Sequence, residues 1–346
     1  MNKYNIKSQT LEELEETLVN LKYPKYRAKQ LFEWLHVKKV ANYSDMKNLP
    51  QTLKTKLEEE YPLVALKVLH KLVDEQDQTS KYLFELADGE VVETVLMSYK
   101  YGNSICISSQ VGCKMGCTFC ASTIGGLIRQ LSPSEMLDQI YQIEVETGQP
   151  VHSIVVMGTG EPLDNYDHLV RFITLLSHAK GRNLSRRNIT VSTCGIIDKI
   201  KSISRDLPQI NLAISLHSPN QRMRKEVMPV SIKFPLEDLI KACKDYTETT
   251  HRRITFEYSL IKDVNDSSFH AKELISLVQG MLCHVNLIPV NPVDERGHQA
   301  TEGADVLKFK SILEGGNIQV TIRRSLGQNI DAACGQLRNR HTNEIK

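Results

Sequence analysis

The chain is 346 residues long and 41% hydrophobic, enough to build one large core with a smaller attachment. Its formal net charge of +2 excludes a uniformly basic nucleic-acid binder and leaves room only for local basic patches. No apolar run approaches a membrane span and none follows the lysines of MNKYNIKSQT, so a soluble, cytoplasmic protein with no membrane partner is expected, whose eight cysteines suit metal binding or chemistry better than a disulfide framework.

In chain order, Thr10 and Glu13 stand in capping-box positions, and Leu11, Leu14, Leu18 and Leu21 recur at helical spacing until Pro24, which predicts a first amphipathic helix. KYRAKQLFEWLH carries Ala28, Leu31, Phe32 and Leu35 on one stripe, and DMKNLPQTLKTKLEEEY supplies a third helical piece, closing a compact helical module near Tyr61. A small helical accessory domain is assigned to residues 1–80 on this basis. Its Lys22, Lys25, Arg27, Lys29, Lys38 and Lys39 read first as a solvated face and second as a surface for nucleic acid. KYLFEL and VVETVLM predict a hairpin over residues 81–98 that turns at Asp88-Gly89. Beyond it SICISS, SIVVMG, NITVST, INLAISLH, RITFEYSL, HVNLIPV and IQVTIRR alternate with helical stretches, the clearest opening at Ser132, Pro133 and Glu135. Repeated βα units predict an α/β fold with a mostly parallel sheet, a partial TIM-like (β/α)6 barrel over residues 99–329, followed by a tail over residues 330–346.

Chemistry in such barrels sits at the carboxyl ends of the strands, and the candidate residues fall there. SICISSQVGCKMGCTFCAS places Cys113, Cys117 and Cys120 after the first strand at spacing C-x3-C-x2-C. Three thiolates can hold three irons of a cubane and leave the fourth open to a ligand. The alternative is a zinc-containing RNA-binding protein that borrows a fourth ligand from elsewhere, although only one C-x2-C element is present.

The motif, with Phe119 before its last cysteine, resembles the signature of the radical S-adenosylmethionine superfamily. That resemblance implies a barrel of the radical-SAM type, one 4Fe-4S cluster, and S-adenosylmethionine cleaved to a 5′-deoxyadenosyl radical. GTGEP then offers a close backbone approach and the Glu161 carboxylate, while Ser192, Ser215, His217 and Asn291 could hydrogen-bond the ribose or amino-acid part. Cys334, in NIDAACGQL, is sterically open to a small electrophile, as a nucleophile or carrier must be; a small buried cysteine is the plainer reading.

ETVLM, CISSQVGCKMGCTFCAS, VVMGTGEPLDN, VSTCGI, ISLHSP, CHVNLIPVNP and NIDAACGQL together resemble the RlmN/Cfr group of radical-SAM RNA adenine methyltransferases, in order and spacing from about residue 80 to 338. The resemblance implies that Cys113, Cys117 and Cys120 bind the cluster. Gly160, Glu161, Ser192, Ser215, Leu216, His217 and Asn291 would line the S-adenosylmethionine site. Cys334 would carry the methyl group, Cys106 would resolve the intermediate through a transient disulfide, and Glu93 would accept the proton. The implied reaction suits carbon-2 of adenine, which has no nucleophilic pair for polar methyl transfer. The proline of GTGEP, and the segments CHVNLIPVNP and VTIRR, resemble the carbon-2 branch, acting on 23S rRNA and on tRNA, rather than the carbon-8 resistance branch; Cys194 departs from a more usual serine. An electron donor such as flavodoxin or ferredoxin and a monomeric state are further expectations. Lys180, Arg182, Arg186, Arg187, Arg252, Arg253, Arg323, Arg324, Arg338 and Arg340 are the candidate phosphate contacts.

Overall fold

The computed structural model describes residues 5–293 and 295–337, so Arg338 and Arg340 and the rest of the tail lie outside the described residues. Helices α1 (Leu11–Asn20), α2 (Arg27–Glu33) and α3 (Gln51–Glu60) form the amino-terminal unit. The Thr10 hydroxyl accepts from the Glu13 amide at 3.3 Å and the Glu13 carboxylate accepts from the Thr10 amide at 2.8 Å, the reciprocal cap expected from the sequence. α2 runs on into a π-turn, Trp34–Lys38, that ends on Lys39 in the left-handed region, a bulge its apolar stripe did not signal. This unit is tied to the rest by a buried ion pair, Lys7 Nζ to Asp138 at 2.7 Å, and by Arg171 with Glu13.

Strand β1 (Lys67–Val73) was not anticipated. Every residue in it is exposed, so it carries no inward face for a periodic pattern to report. It pairs antiparallel with β2 (Ser80–Glu85), which pairs with β3 (Val91–Tyr99), which pairs with β4 (Gly102–Ile107). A small separate ribbon, β5 (Gln110–Gly112) with β6 (Leu127–Gln130), brackets the cysteine loop. Next come α4 (Pro133–Thr147), with the Ser132–Glu135 capping box formed, β7 (Val151–Val156), α5 (Tyr166–Leu176), β8 (Ile189–Thr193), α6 (Ile197–Asp206) and β9 (Asn211–Ser215). The chain closes with α7 (Gln221–Val227), α8 (Leu236–Thr250), β10 (Ile254–Leu260), α9 (Ser268–Val278), β11 (Cys283–Pro289), α10 (Gly303–Gly315) and β12 (Val320–Ile322).

The main sheet has ten strands in the order β1-β2-β3-β4-β7-β8-β9-β10-β11-β12. From β4 to β12 every pairing is parallel, so all these strands end on one rim. The linear order, with β1 and β12 at the edges, leaves the barrel open, as expected of a partial barrel. Buried Ile105, Ile107, Ile154, Val156, Val191 and Ile214 on these strands pack against Leu137, Ile140, Leu169 and Phe172 of the helices, which fixes where the rim stands. Among the described residues no helix is long and apolar enough to cross a membrane.

Candidate active site

The rim bears a cavity lined by Cys113, Cys117, Cys120, Gly160, Glu161, Ser192, Ser215, His217, Asn291 and Cys334, so nine of the residues singled out from the sequence meet Cys334 around one space. The β5–β6 ribbon shapes its cysteine wall. Gly112 has φ +72, and a Cβ there would stand 2.0 Å from the Gly126 carbonyl oxygen, while the Cys113 amide donates to that oxygen at 2.8 Å. Burial pushes the Cys113 thiol up to about 12 and raises Cys117 and Cys120 as well. Such thiols give up their protons to a bound cation. No three or more His, Cys, Asp or Glu among the described residues converge as ligands of one ion. A cubane does not ask for convergence, because each thiolate binds a different iron, and the soft donor set suits it.

The GTGEP turn is built for close approach. A Cβ on Gly158 would fall 2.7 Å from the Ile107 carbonyl oxygen, and one on Gly160, at φ +110, 2.6 Å from Gln110. The Glu161 carboxylate is engaged on both oxygens, accepting from the Leu163 amide at 2.9 Å and the Cys194 amide at 2.8 Å. It cross-braces two strand ends, and the Glu161 amide is itself committed to Gln110 Oε1 at 2.7 Å, so Glu161 offers a ligand less than the sequence suggested. Burial raises its affinity for a proton, against the pull of these amides.

His217 has φ +54, and its Nδ1 accepts from the Ser259 amide at 2.9 Å. Burial holds its pKa down to about 3. The ring is therefore neutral, with its proton on Nε2 as the free donor. The Phe119 ring stands edge-on to it, 4.7 Å between centroids. Ser192 and Ser215 approach each other at 3.3 Å. Leu216 is fully buried and its side chain does not line the cavity; its carbonyl receives the buried Arg224 guanidinium, which also donates to Cys194 O at 2.7 Å. Arg224 was not foreseen; its guanidinium gathers the carbonyls of Cys194, Ser215 and Leu216, at the ends of the neighbouring strands β8 and β9.

A second cavity adjoins the first and contains Cys106 with Val95, Met97, Tyr99, Ala332 and Leu337. Met157, Ile288, Asn291, Arg323 and Cys334 belong to both walls, so Cys334 stands at the partition. The Asn291 amide donates to Cys334 O at 3.0 Å, and the Ala121 amide to Gly335 O at 2.7 Å, which pins this segment against the cysteine loop. Cys106 is buried and its thiol is pushed up to about 12, by desolvation first and by Cys334 second, with Arg323 opposing. Arg323, expected to meet phosphate, is instead half-buried on the wall shared by the two cavities, 4.0 Å from Glu257, with Cys334 the chief influence favouring its charged form. Glu257 was missed too; it lies mid-strand in a run that reads as β-structure. Arg182 and Arg252 are likewise committed within the chain, to Glu144 and to Ile210 O.

Glu93 lines neither cavity. It lies on β3 two residues from Val95, which does, and is paired with Lys81 at 3.4 Å.

Comparison with known proteins adds to this geometry. Residues 107–272 match the model of the Radical SAM superfamily, and residues 4–62 match the ribosomal RNA large subunit methyltransferase N-terminal domain. A protein of Lachnoclostridium phytofermentans named "Probable dual-specificity RNA methyltransferase RlmN" is 52% identical over 342 residues, covering 99% of this chain and 96% of its own. The similarly named protein of Lachnospira eligens is 52% identical over 341 residues, covering 99% and 97%. The crystal structure of a radical SAM methyltransferase from Sphaerobacter thermophilus superposes with a TM-score of 0.93 at 41% identity, covering 96% of this chain and 99% of that one.

Proposed function

This chain belongs to the RlmN family of radical SAM RNA methyltransferases, and from that membership we propose that it methylates carbon-2 of an adenosine in the peptidyl-transferase region of 23S rRNA and of the adenosine 3′ of the anticodon in some tRNAs. Its cofactors are a 4Fe-4S cluster and S-adenosylmethionine, which when bound supply the electron, the methyl group and the hydrogen-abstracting radical. A small electron-transfer protein such as flavodoxin or ferredoxin would deliver the electron.

In this reading Cys113, Cys117 and Cys120 hold the cluster. Gly160 and Glu161 form the wall beside S-adenosylmethionine, to which Ser192 and Ser215 offer hydroxyls, His217 its Nε2 proton and Asn291 its side-chain amide, with Leu216 placing the two residues beside it. Cys334 loses its thiol proton as it accepts the methyl group, and its S-bound carbon later joins carbon-2 of adenine. Glu93 takes the ring proton. The adduct gives up one electron to the electron-transfer system and the Cys106 thiol attacks Cys334 sulfur, so that an S–S bond forms as the S–C bond breaks and the released carbon takes the electron pair and a proton to become the product methyl; an external reductant restores both thiols.

The observation that carries the reading is the position of Cys334 on the shared wall, between the cavity of the three cysteines and that of Cys106. A carrier must meet methyl donor on one side and resolving thiol on the other. Cys106→Ala is therefore expected to accumulate a covalent RNA–protein adduct on a denaturing gel, and Cys334→Ala to form none and to carry no S-methyl group. Normal product release by Cys106→Ala would refute the resolving role.

A further inference from the structure

We infer that Lys81 is a positioning residue, which holds the Glu93 carboxylate for its proton transfer and ties it to the segment that carries Cys334; this rests on the roles of Glu93 and Cys334 proposed above. Lys81 lies on β2 opposite Val95, and Leu83 lies opposite Glu93, so Lys81 and Glu93 are diagonal neighbours across the β2–β3 ladder. Its Nζ is 3.4 Å from Glu93 Oε1 and donates to the Asp331 carbonyl oxygen at 3.3 Å. Asp331 is three residues ahead of Cys334. The two side chains are only 12% and 8% exposed, so this pair is largely shielded from water, where losing one partner costs more than at the surface. Strand alternation puts Glu93 on the same face of β3 as Val95 and Met97, which line the Cys106 cavity.

The turn between β1 and β2 already grips the segment without Lys81. Asp77 accepts from the Gly327 amide at 2.9 Å, and Asp74 accepts from the Asn329 side chain at 3.1 Å. Gly327, at φ +67, would set a Cβ 3.0 Å from Thr79. Anchoring alone thus does not account for a buried ammonium at this place. What Lys81 adds is a link between the carboxylate and the carrier segment, so that the base is aligned when Cys334 is docked.

The test uses the full chain with its cluster, S-adenosylmethionine and an rRNA fragment, and reads three quantities: S-methylation of Cys334 by peptide mass, the RNA–protein adduct, and released product. Lys81→Met is expected to methylate Cys334 within about twofold of the parent, yet to accumulate adduct about tenfold or more, as loss of a general base would. Lys81→Arg should restore release, and Lys81→Met combined with Glu93→Gln should trap no more adduct than Glu93→Gln alone, because the lysine acts through the glutamate. If Lys81→Met does not fold, Lys81→Gln takes its place with the same expectation. Normal release by the lysine variants while Glu93→Gln traps adduct would overturn the inference, as would strictly additive effects. Absence of adduct in Glu93→Gln itself would instead overturn the role of Glu93.

Discussion

Replacing Gly112 by alanine tests how the cysteine wall is made. The new Cβ would lie 2.0 Å from the Gly126 carbonyl oxygen, a backbone atom that no side-chain rotation can move, so β6 must retreat by about 1.4 Å to reach ordinary contact at 3.4 Å. At φ +72 the alanine also bears a left-handed strain of roughly 1–2 kcal/mol. The retreat breaks the 2.8 Å bond from the Cys113 amide to Gly126 O, worth about 1 kcal/mol. Together these make about 2–3 kcal/mol, a fall of roughly 30- to 150-fold in the population with the loop set for ligation. The assay is iron and sulfide content, with visible absorbance, after anaerobic reconstitution at limiting iron. Gly125→Ala, in the same loop but facing open space, is the comparison and should load like the parent. Equal loading by Gly112→Ala and Gly125→Ala would refute the argument.

Substitutions at Lys7 and His36 address the fold. Lys7→Ala strands the buried Asp138 carboxylate and should cost about 3 kcal/mol or more by urea unfolding, whereas Lys7→Met with Asp138→Leu should recover most of it. His36 is fully buried, and desolvation holds its pKa down to about 3 against an ordinary 6.5. The unfolded chain takes up that proton first, so this contribution to stability is whole above pH 6.5 and is lost as pH falls from 6.5 toward 3. His36→Leu should therefore flatten the stability profile between pH 6 and 4 by about 1.4 kcal/mol per pH unit, one proton's worth; unchanged slopes would contradict it.

Features encoded by a few neighbouring residues were legible in the sequence. The capping boxes at Thr10 and Ser132, the hairpin at Asp88-Gly89 and the βα alternation depend on spacing within one or two turns of chain. The cysteine loop was legible because its chemistry is local too. Strand β1 was not, since an edge strand exposed on both faces has no pattern to impose. Nor was the fate of charges that turn toward the chain: Arg323 with Glu257, Arg224 with the Cys194 and Leu216 carbonyls, and Lys81 with Asp331 O find partners that no local spacing announces, and a lone arginine reads as surface until its neighbours are known. Glu161 shows the intermediate case, its place at the rim foreseen and its carboxylate's engagement by two backbone amides not.

The proposal as a whole turns on the product. Anaerobic turnover of the reconstituted protein with methyl-labelled S-adenosylmethionine and a 23S rRNA fragment, followed by nucleoside mass spectrometry against authentic standards, should yield labelled 2-methyladenosine, and the same with a tRNA substrate. Labelled 8-methyladenosine, or no methylated adenosine from protein with a full cluster, would contradict it.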